Sequence, residues 1–427
     1  MSNYPWGEKP RERVWRENTL GATTVLQGRI RQFFKTVSGQ TLLGLSFSAL
    51  SLFAGGLIAV FTPEFSKTPW ILALFPPILT IRGGIGGLFS GNLATMLHLG
   101  TVKPQLRENT AEYWNLVKSV IVMTVIDTLI LGSFSFIVNI VNGSATLNQW
   151  FIFILVPNVA CMLAVLTSIP VTSYVAIQTF KRGLDPDILV YPILASINDI
   201  MVTCYFVVAI FFVLWGGLFY TSLIFVFILM VSGVGYLASM MRDERFFQQS
   251  LREGIFIVMF SSVFGSINGV LLSNLGSLFA SRPGLMTLYP ALTNNLGNLG
   301  SIIGSQMTTS IALGYSRSFL EELKESGRSI IQVEVPAAFI HIVFGLIAYL
   351  LSINRGANLF YLVSVALVCN LMSFIIVSVF ALWSAHVSYE RGLNPDNIVI
   401  PAITSVSDTT ATLAITPAVF IVKLLGF

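Results

Sequence analysis

Eleven long apolar stretches, nearly free of charge, fill most of this 427-residue chain. A transmembrane helix needs about 20 consecutive apolar residues. Candidate spans run over 39–61, 70–99, 117–141, 149–178, 187–215, 219–241, 255–279, 284–313, 333–353, 358–387 and 397–425. Charged residues make up only 10% of the chain and hydrophobic ones 54%, whereas a soluble domain carries about 25% charged residues. The expected fold class is an all-α polytopic membrane protein with about 11 transmembrane helices. The net charge of +4 is spread over many loops, so nothing points to nucleic acid. Cys161, Cys204 and Cys369 all lie inside apolar runs and form neither a disulfide framework nor a CxxC metal site.

The basic residues set an orientation. With the N-terminus inside, 19 Lys and Arg fall in inner segments and four (Lys67, Arg282, Arg355, Lys423) in outer ones, while Arg82 lies within the second span. This asymmetry is a positive-inside signal. It places the C-terminus outside and agrees with an odd number of spans. Residues 1–38 are polar and basic, too long and charged for a signal peptide. A cytoplasmic tail is expected there. The plasma membrane is the expected location.

The chain also repeats itself. Arg182-Gly-Leu-Asp-Pro-Asp187 through Asp199 returns as Arg391-Gly-Leu-Asn-Pro-Asp396 through Asp408, with nine of eighteen positions identical. The Gly-rich stretch 77–95 aligns with 290–308 at seven of nineteen, including Pro77/Pro290, Gly84/Gly297, Gly87/Gly300 and Gly91/Gly304. The expected organisation is a tail (1–38), a first five-helix repeat (39–215), a linker helix and cytoplasmic loop (216–254) and a second five-helix repeat (255–427). Five spans are odd, so the extra span 219–241 restores the orientation. Two parallel repeats about a pseudo-twofold axis along the membrane normal follow, and such repeats place transport sites near their interface.

Ionisable residues at bilayer depth are costly and mark function. Arg82, Asp127, Asp199 and Asp408 stand out. Asp199 and Asp408 hold equivalent places, each seven residues after a proline (Pro192, Pro401) and three after a serine (Ser196, Ser405), which puts Pro, Ser and Asp on one helix face. Two buried carboxylates facing one another repel unless one is protonated or a cation lies between them. A hard divalent cation suits oxygen ligands, and Mg²⁺ is usually held by one or two carboxylates with several waters retained. Ser196, Ser405, Thr404, Thr409 and Asn198 could hydrogen-bond those waters; helix packing by hydroxyl-bonded aspartates is the alternative.

Gly83–Gly87 and Gly297–Gly300 read as helix breaks lining a cavity, or else as close-packing contacts of the small-residue kind. Asp127, which has no acidic counterpart in the second repeat, is a possible coupling site for Na⁺ or H⁺, or a partner for Arg82. Asp187 and Asp396 read as caps at the start of the fifth helices, with a place at the inner mouth as the other option. His98, His341 and His386 show no ligand spacing.

Pro290…Gly297-Asn298-Leu299-Gly300…Gly304-Ser305-Gln306 and Asn394-Pro395-Asp396-Asn397…Pro401…Ser405…Asp408, with the sister set Asp185-Pro186-Asp187…Pro192…Ser196…Asp199, resemble the MgtE-type magnesium transporter domain. The whole chain beyond residue 38 resembles the fused two-domain form of solute carrier family 41. The resemblance implies a central cation pore lined by the second and fifth helices, with the ion bound near the axis. Its metal residues would be Asp199 and Asp408, with Ser196, Ser405 and Asn298 beside them. Mg²⁺ is then the transported ion and no catalytic residue is expected. One chain supplies both halves, so a monomer suffices. Ile85 stands where the second repeat has Asn298, a departure from the family pattern in the first repeat. No stretch matches the cytoplasmic sensor of bacterial MgtE.

Two other classes remain open. An intramembrane aspartyl protease also uses two membrane aspartates, but its Tyr-Asp and Gly-x-Gly-Asp motifs are replaced here by Asn198-Asp199 and Ser407-Asp408. A secondary carrier for an organic solute also uses broken helices. The hydroxyls and carboxylates, with Arg82 as the one basic group, favour a cation.

Overall fold

The computed structural model describes residues 32–33, 35–65, 68–282, 284–313 and 319–426. The expected cytoplasmic tail lies almost wholly outside the described residues. Among them there are helices and turns and no strand. The order is α1 (Val37–Ser46), a 3-10 turn (Phe47–Leu50), α2 (Ser51–Phe65), α3 (Pro69–Leu99), α4 (Ala111–Val141), α5 (Trp150–Lys181), α6 (Pro186–Trp215) and α7 (Gly217–Met240). Then follow α8 (Arg245–Asn274), the short α9 (Gly276–Ser281), α10 (Leu285–Ala312), α11 (Phe319–Ser352), α12 (Leu359–Glu390) and α13 (Pro395–Leu424). Each expected span falls on these helices, the first being split into α1 and α2 and the seventh into α8 and α9.

Among the described residues nine helical stretches are long and apolar enough to cross a membrane. The two outside that set are α3 and α10. Arg82 and five glycines dilute α3, and Asn294, Asn295 and Asn298 dilute α10. Both are nonetheless enclosed by other helices, and nearly every residue from Leu285 to Thr309 is buried. Polar residues can occupy these two helices because they face protein. The opposite case is α7, where only Leu223 and Val234 are buried. Its apolar residues are there for lipid.

The repeated Arg-Gly-Leu-(Asp/Asn)-Pro-Asp motif is first a piece of chain geometry. Gly183 and Gly392 take φ of +67° and +68°, the left-handed region where glycine costs least. Asp185 and Asn394 then cap α6 and α13, accepting the Asp187 and Asp396 N–H at 3.0 and 3.1 Å. Pro186 and Pro395 fill the first helical position, where a missing N–H costs nothing. The expectation that Asp187 and Asp396 are the caps is thereby corrected. The residues two places earlier do that work, and Asp187 and Asp396 lie buried in the first turn at 4% and 5% exposure.

The glycine stretches take the second of their two readings. Both α3 and α10 run unbroken through them, so no helix break exposes backbone carbonyls there. The glycines serve close packing instead. A Cβ at Gly300 would stand 2.6 Å from Ile403 Cγ2, and one at Gly304 2.6 Å from Ile403 Cδ1. One at Gly84 would touch Pro401. Thus α13 lies against the glycine faces of both α3 and α10, which brings the aspartate-bearing helix to the middle of the bundle.

Two apolar cores result. One joins residues from Ile58 to Leu223. The other runs from Leu272 to Val422 and takes in Leu45, Leu52 and Ile188 from the N-terminal half. The first helix of each half sits on the opposite half: α1 packs on α11 and α2 on α10, while α8 packs on α3 and α4. The halves are interlocked.

Close packing makes a stability prediction. At Gly132 on α4 an added Cβ would collide with the Phe153 backbone carbonyl of α5, while Gly233 on α7 has open space. Overpacking costs about 1–3 kcal/mol, and Gly to Ala in an exposed helix gains up to about 1 kcal/mol. Gly132→Ala should melt earlier than the parent in detergent, and Gly233→Ala at the same temperature or later.

Candidate cation site between the two halves

Four helices, α3, α6, α10 and α13, supply the lining of a small central cavity. Asp199 and Asp408 both line it, with Arg82, Tyr191, Asn294 and Thr404. The free space is about 20 Å³, room for one water. The two sequence-predicted aspartates are therefore brought to one place, from helices at matching positions in the two halves.

Their surroundings are unequal. Asp199 is 1% exposed and forms an ion pair with Arg82 of α3. It also accepts a hydrogen bond from Ser51 Oγ at 2.6 Å. Arg82 further donates to the Ala195 carbonyl at 3.1 Å, which fixes the guanidinium against α6. Asn294 of α10 donates to Ser51 Oγ at 2.7 Å, extending the network into the C-terminal half. Asp408 has one hydroxyl donor, Thr80 Oγ1 at 2.8 Å, and is only partly buried. The cavity thus holds two carboxylates and one permanent cation, since arginine does not lose its proton in proteins. Asp408 lies outside the Arg82–Asp199 ion pair, and Thr80, Thr404 and the Tyr191 hydroxyl add further hard oxygen atoms around it.

The other predicted residues fall outside the lining. Ser196 Oγ donates to the Pro192 carbonyl at 2.7 Å. Ser405 Oγ lies 2.7 Å from Ser261 Oγ and 2.9 Å from the Pro401 carbonyl. Asn298 donates to Ser48 Oγ at 2.8 Å. These side chains tie helices together around the cavity. The suggested pairing of Asp127 with Arg82 is not formed, because Arg82 turns to Asp199. Asp127 is 5% exposed, and its Oδ1 has no hydrogen-bond partner among the described residues. It lines a second space of about 20 Å³ between α3, α4, α8 and α13, otherwise walled mainly by apolar side chains.

A second polar layer lies twelve residues earlier on α6 and α13, about 18 Å away at 1.5 Å per residue. Asp187 accepts from Ser305 Oγ at 2.8 Å. Thr95 and Thr309 hydroxyls meet at 3.3 Å. Asn397 donates to Glu253 at 2.6 Å and accepts from Asn92 at 3.0 Å. Polar side chains therefore line the contacts between α3, α6, α10 and α13 at two depths.

Sequence reasoning missed Thr80, Ser51 and Asn294. Thr80 had a signal, since it aligns with Thr293 in the glycine-stretch repeat. Ser51 had none, because its place between Asp199 and Asn294 depends on how α2 packs against α6 and α10.

A bundle of long apolar helices, with two carboxylates on one cavity between its halves, defines a multi-pass membrane protein. Two segments, 75–209 and 289–416, together more than half of the chain, match the MgtE family, described as a divalent cation transporter. The chain belongs to the MgtE family. It is similar to solute carrier family 41 member 3 of Rattus norvegicus, 20% identical over 408 residues, covering 87% of this chain and 84% of that protein. It is also similar to solute carrier family 41 member 2 of Xenopus laevis, 21% identical over 392 residues, covering 85% of this chain and 67% of that protein. No solved structure matches. Membership in a transporter family sets aside the intramembrane protease.

Proposed function

We propose that this chain carries Mg²⁺ across the plasma membrane, along a path between its two halves, with the ion held near Asp408 and Asp199. The observation that carries this reading is the meeting of two carboxylates from equivalent helices on one oxygen-lined cavity. The match to a divalent cation transporter family supports it. Carboxylate, hydroxyl and water are the ligand types that Mg²⁺, Ca²⁺ and Mn²⁺ prefer. Mg²⁺ keeps several waters, and the cavity holds about one. Passage therefore requires α3 and α10 to part from α6 and α13. Both halves of the site come from one chain, so a monomer suffices.

Direction follows from voltage. A divalent cation moving inward down 100 mV gains about 4.6 kcal/mol, twice the figure for a unit charge. Inward flow needs no second ion, whereas outward flow needs Na⁺ or H⁺. Asp127, a buried carboxylate with an unpartnered oxygen beside α13, is where a coupling ion would bind.

The test is Mg²⁺ uptake into proteoliposomes holding the purified protein. Uptake that follows an imposed voltage with no Na⁺ or H⁺ gradient is expected. Uptake only with such a gradient would make the protein a coupled carrier. No Mg²⁺ uptake under either condition would refute the proposal.

A further inference from the structure

One cluster lies at the edge of the path above and shares only Asp187 with its second polar layer. His98 lies in the last turn of α3, Asp185 caps α6 and Asp187 lies in its first turn. One ligand atom from each falls within 4.8 Å of the others. His98 Nε2 stands 3.6 Å from Asp185 Oδ1 and 3.7 Å from Asp187 Oδ2. Both gaps exceed an N–H···O hydrogen bond of about 2.7–3.2 Å. They suit donors that share a metal: ligands about 2.0–2.2 Å from a tetrahedral Zn²⁺ lie about 3.3–3.6 Å apart.

The three groups are held by separate contacts. Asp187 Oδ1 accepts from Ser305, which leaves Oδ2 turned towards His98. Asp185 is fixed by its cap bond to the Asp187 N–H and by its own N–H, which donates to Gln40 Oε1 at 2.7 Å. The His98 ring meets Phe180 edge-on, with centroids 6.0 Å apart. The Asp187 side chain is 3% exposed, but those of His98 and Asp185 are 28% and 32% exposed. One face of the cluster is closed and the other open to solvent, which leaves an entry path and a place for water. The C-terminal half has no copy: Ile311 and Asn394 stand where His98 and Asp185 stand in the first half.

We propose that His98, Asp185 and Asp187 form a binding site for a transition-type divalent cation, Zn²⁺ being the best fit, at the end of the bundle that carries the basic loops. An imidazole with two carboxylates suits Zn²⁺ and Co²⁺, whereas Mg²⁺ prefers oxygen alone. The ligands come from α3 and α6, so the bound ion ties these two helices together.

The test uses the full chain in detergent, freed of any affinity tag, titrated with Co²⁺ while its visible absorption is followed. One equivalent should give the intense bands of a low-coordinate Co²⁺ site, removed by Zn²⁺ and left in place by excess Mg²⁺. His98→Gln should weaken Co²⁺ binding at least tenfold, with elution and circular dichroism showing the fold intact. If that variant does not fold, Asp185→Asn, altered at a partly exposed side chain, serves in its place. Binding by a folded variant equal to that of the parent, or displacement by Mg²⁺ as readily as by Zn²⁺, would overturn the proposal.

Discussion

Asp408→Asn is expected to cut voltage-driven Mg²⁺ uptake by about a hundredfold while the protein still folds. Asp408 is the carboxylate of the cavity that no cation of the protein engages directly, and Thr80 is its one hydroxyl donor. Removing one partner of a buried charge contact costs about 2–5 kcal/mol, and each 1.4 kcal/mol is about tenfold. Asparagine keeps the shape and the hydrogen bond to Thr80 but not the charge. Folding is spared because Asp408 is partly exposed and the ion pair of the cavity is made by Arg82 with Asp199, which this change leaves in place. The check is initial uptake in proteoliposomes at equal protein loading. Uptake near the parent rate would move the ion away from Asp408.

Arg82→Gln should act in the opposite sense on affinity. Arg82 occupies Asp199 as a tethered cation, and an incoming Mg²⁺ meets its repulsion. Glutamine frees Asp199, so the cavity gains a unit of negative charge. Mg²⁺ should then bind at least about tenfold more tightly, or by about 1.4 kcal/mol. Without Mg²⁺ the variant should be less stable, since breaking a buried ion pair costs about 3–5 kcal/mol. Mg²⁺ at a hundredfold above its Kd should restore about 2.7 kcal/mol. Thermal unfolding with and without Mg²⁺ reads both effects. Asp199→Asn releases Arg82 from its ion pair and leaves its charge to act on Asp408 in the same cavity, so it should suppress uptake strongly. Adding Arg82→Gln to it should recover part of the loss. Equal Mg²⁺ stabilisation of parent and Arg82→Gln would show that the guanidinium does not compete for the site.

Much of the architecture was legible because lipid imposes simple demands. Apolar runs of helix length located the long helices among the described residues, and the Asp199/Asp408 match in the repeated motif pointed to two carboxylates that the structure does bring to one cavity. What failed to show was whatever depends on partners from distant helices. Gly83–Gly87 and Gly297–Gly300 read equally as breaks or as packing faces, and only the approach of Pro401 and Ile403 decides for packing. The sequence offered Asp127 as the partner of Arg82. Side-chain direction around the helix, which sequence does not give, turns it to Asp199. Ser196 and Ser405 share a helix face with their aspartates, yet their hydroxyls are taken up by the Pro192 and Pro401 carbonyls. His98 looked isolated because its partners lie 87 and 89 positions further along the chain.

The central claim is that a divalent cation sits between Asp199 and Asp408. The most direct measurement is an anomalous difference map from crystals of the full-length protein grown with Mn²⁺, a hard cation that accepts the same oxygen donors as Mg²⁺. A peak within coordination distance of Asp408, with Thr80 beside it, is the predicted result. Mn²⁺ density confined to other places, with the carboxylate cavity empty at saturating Mn²⁺, would contradict the claim.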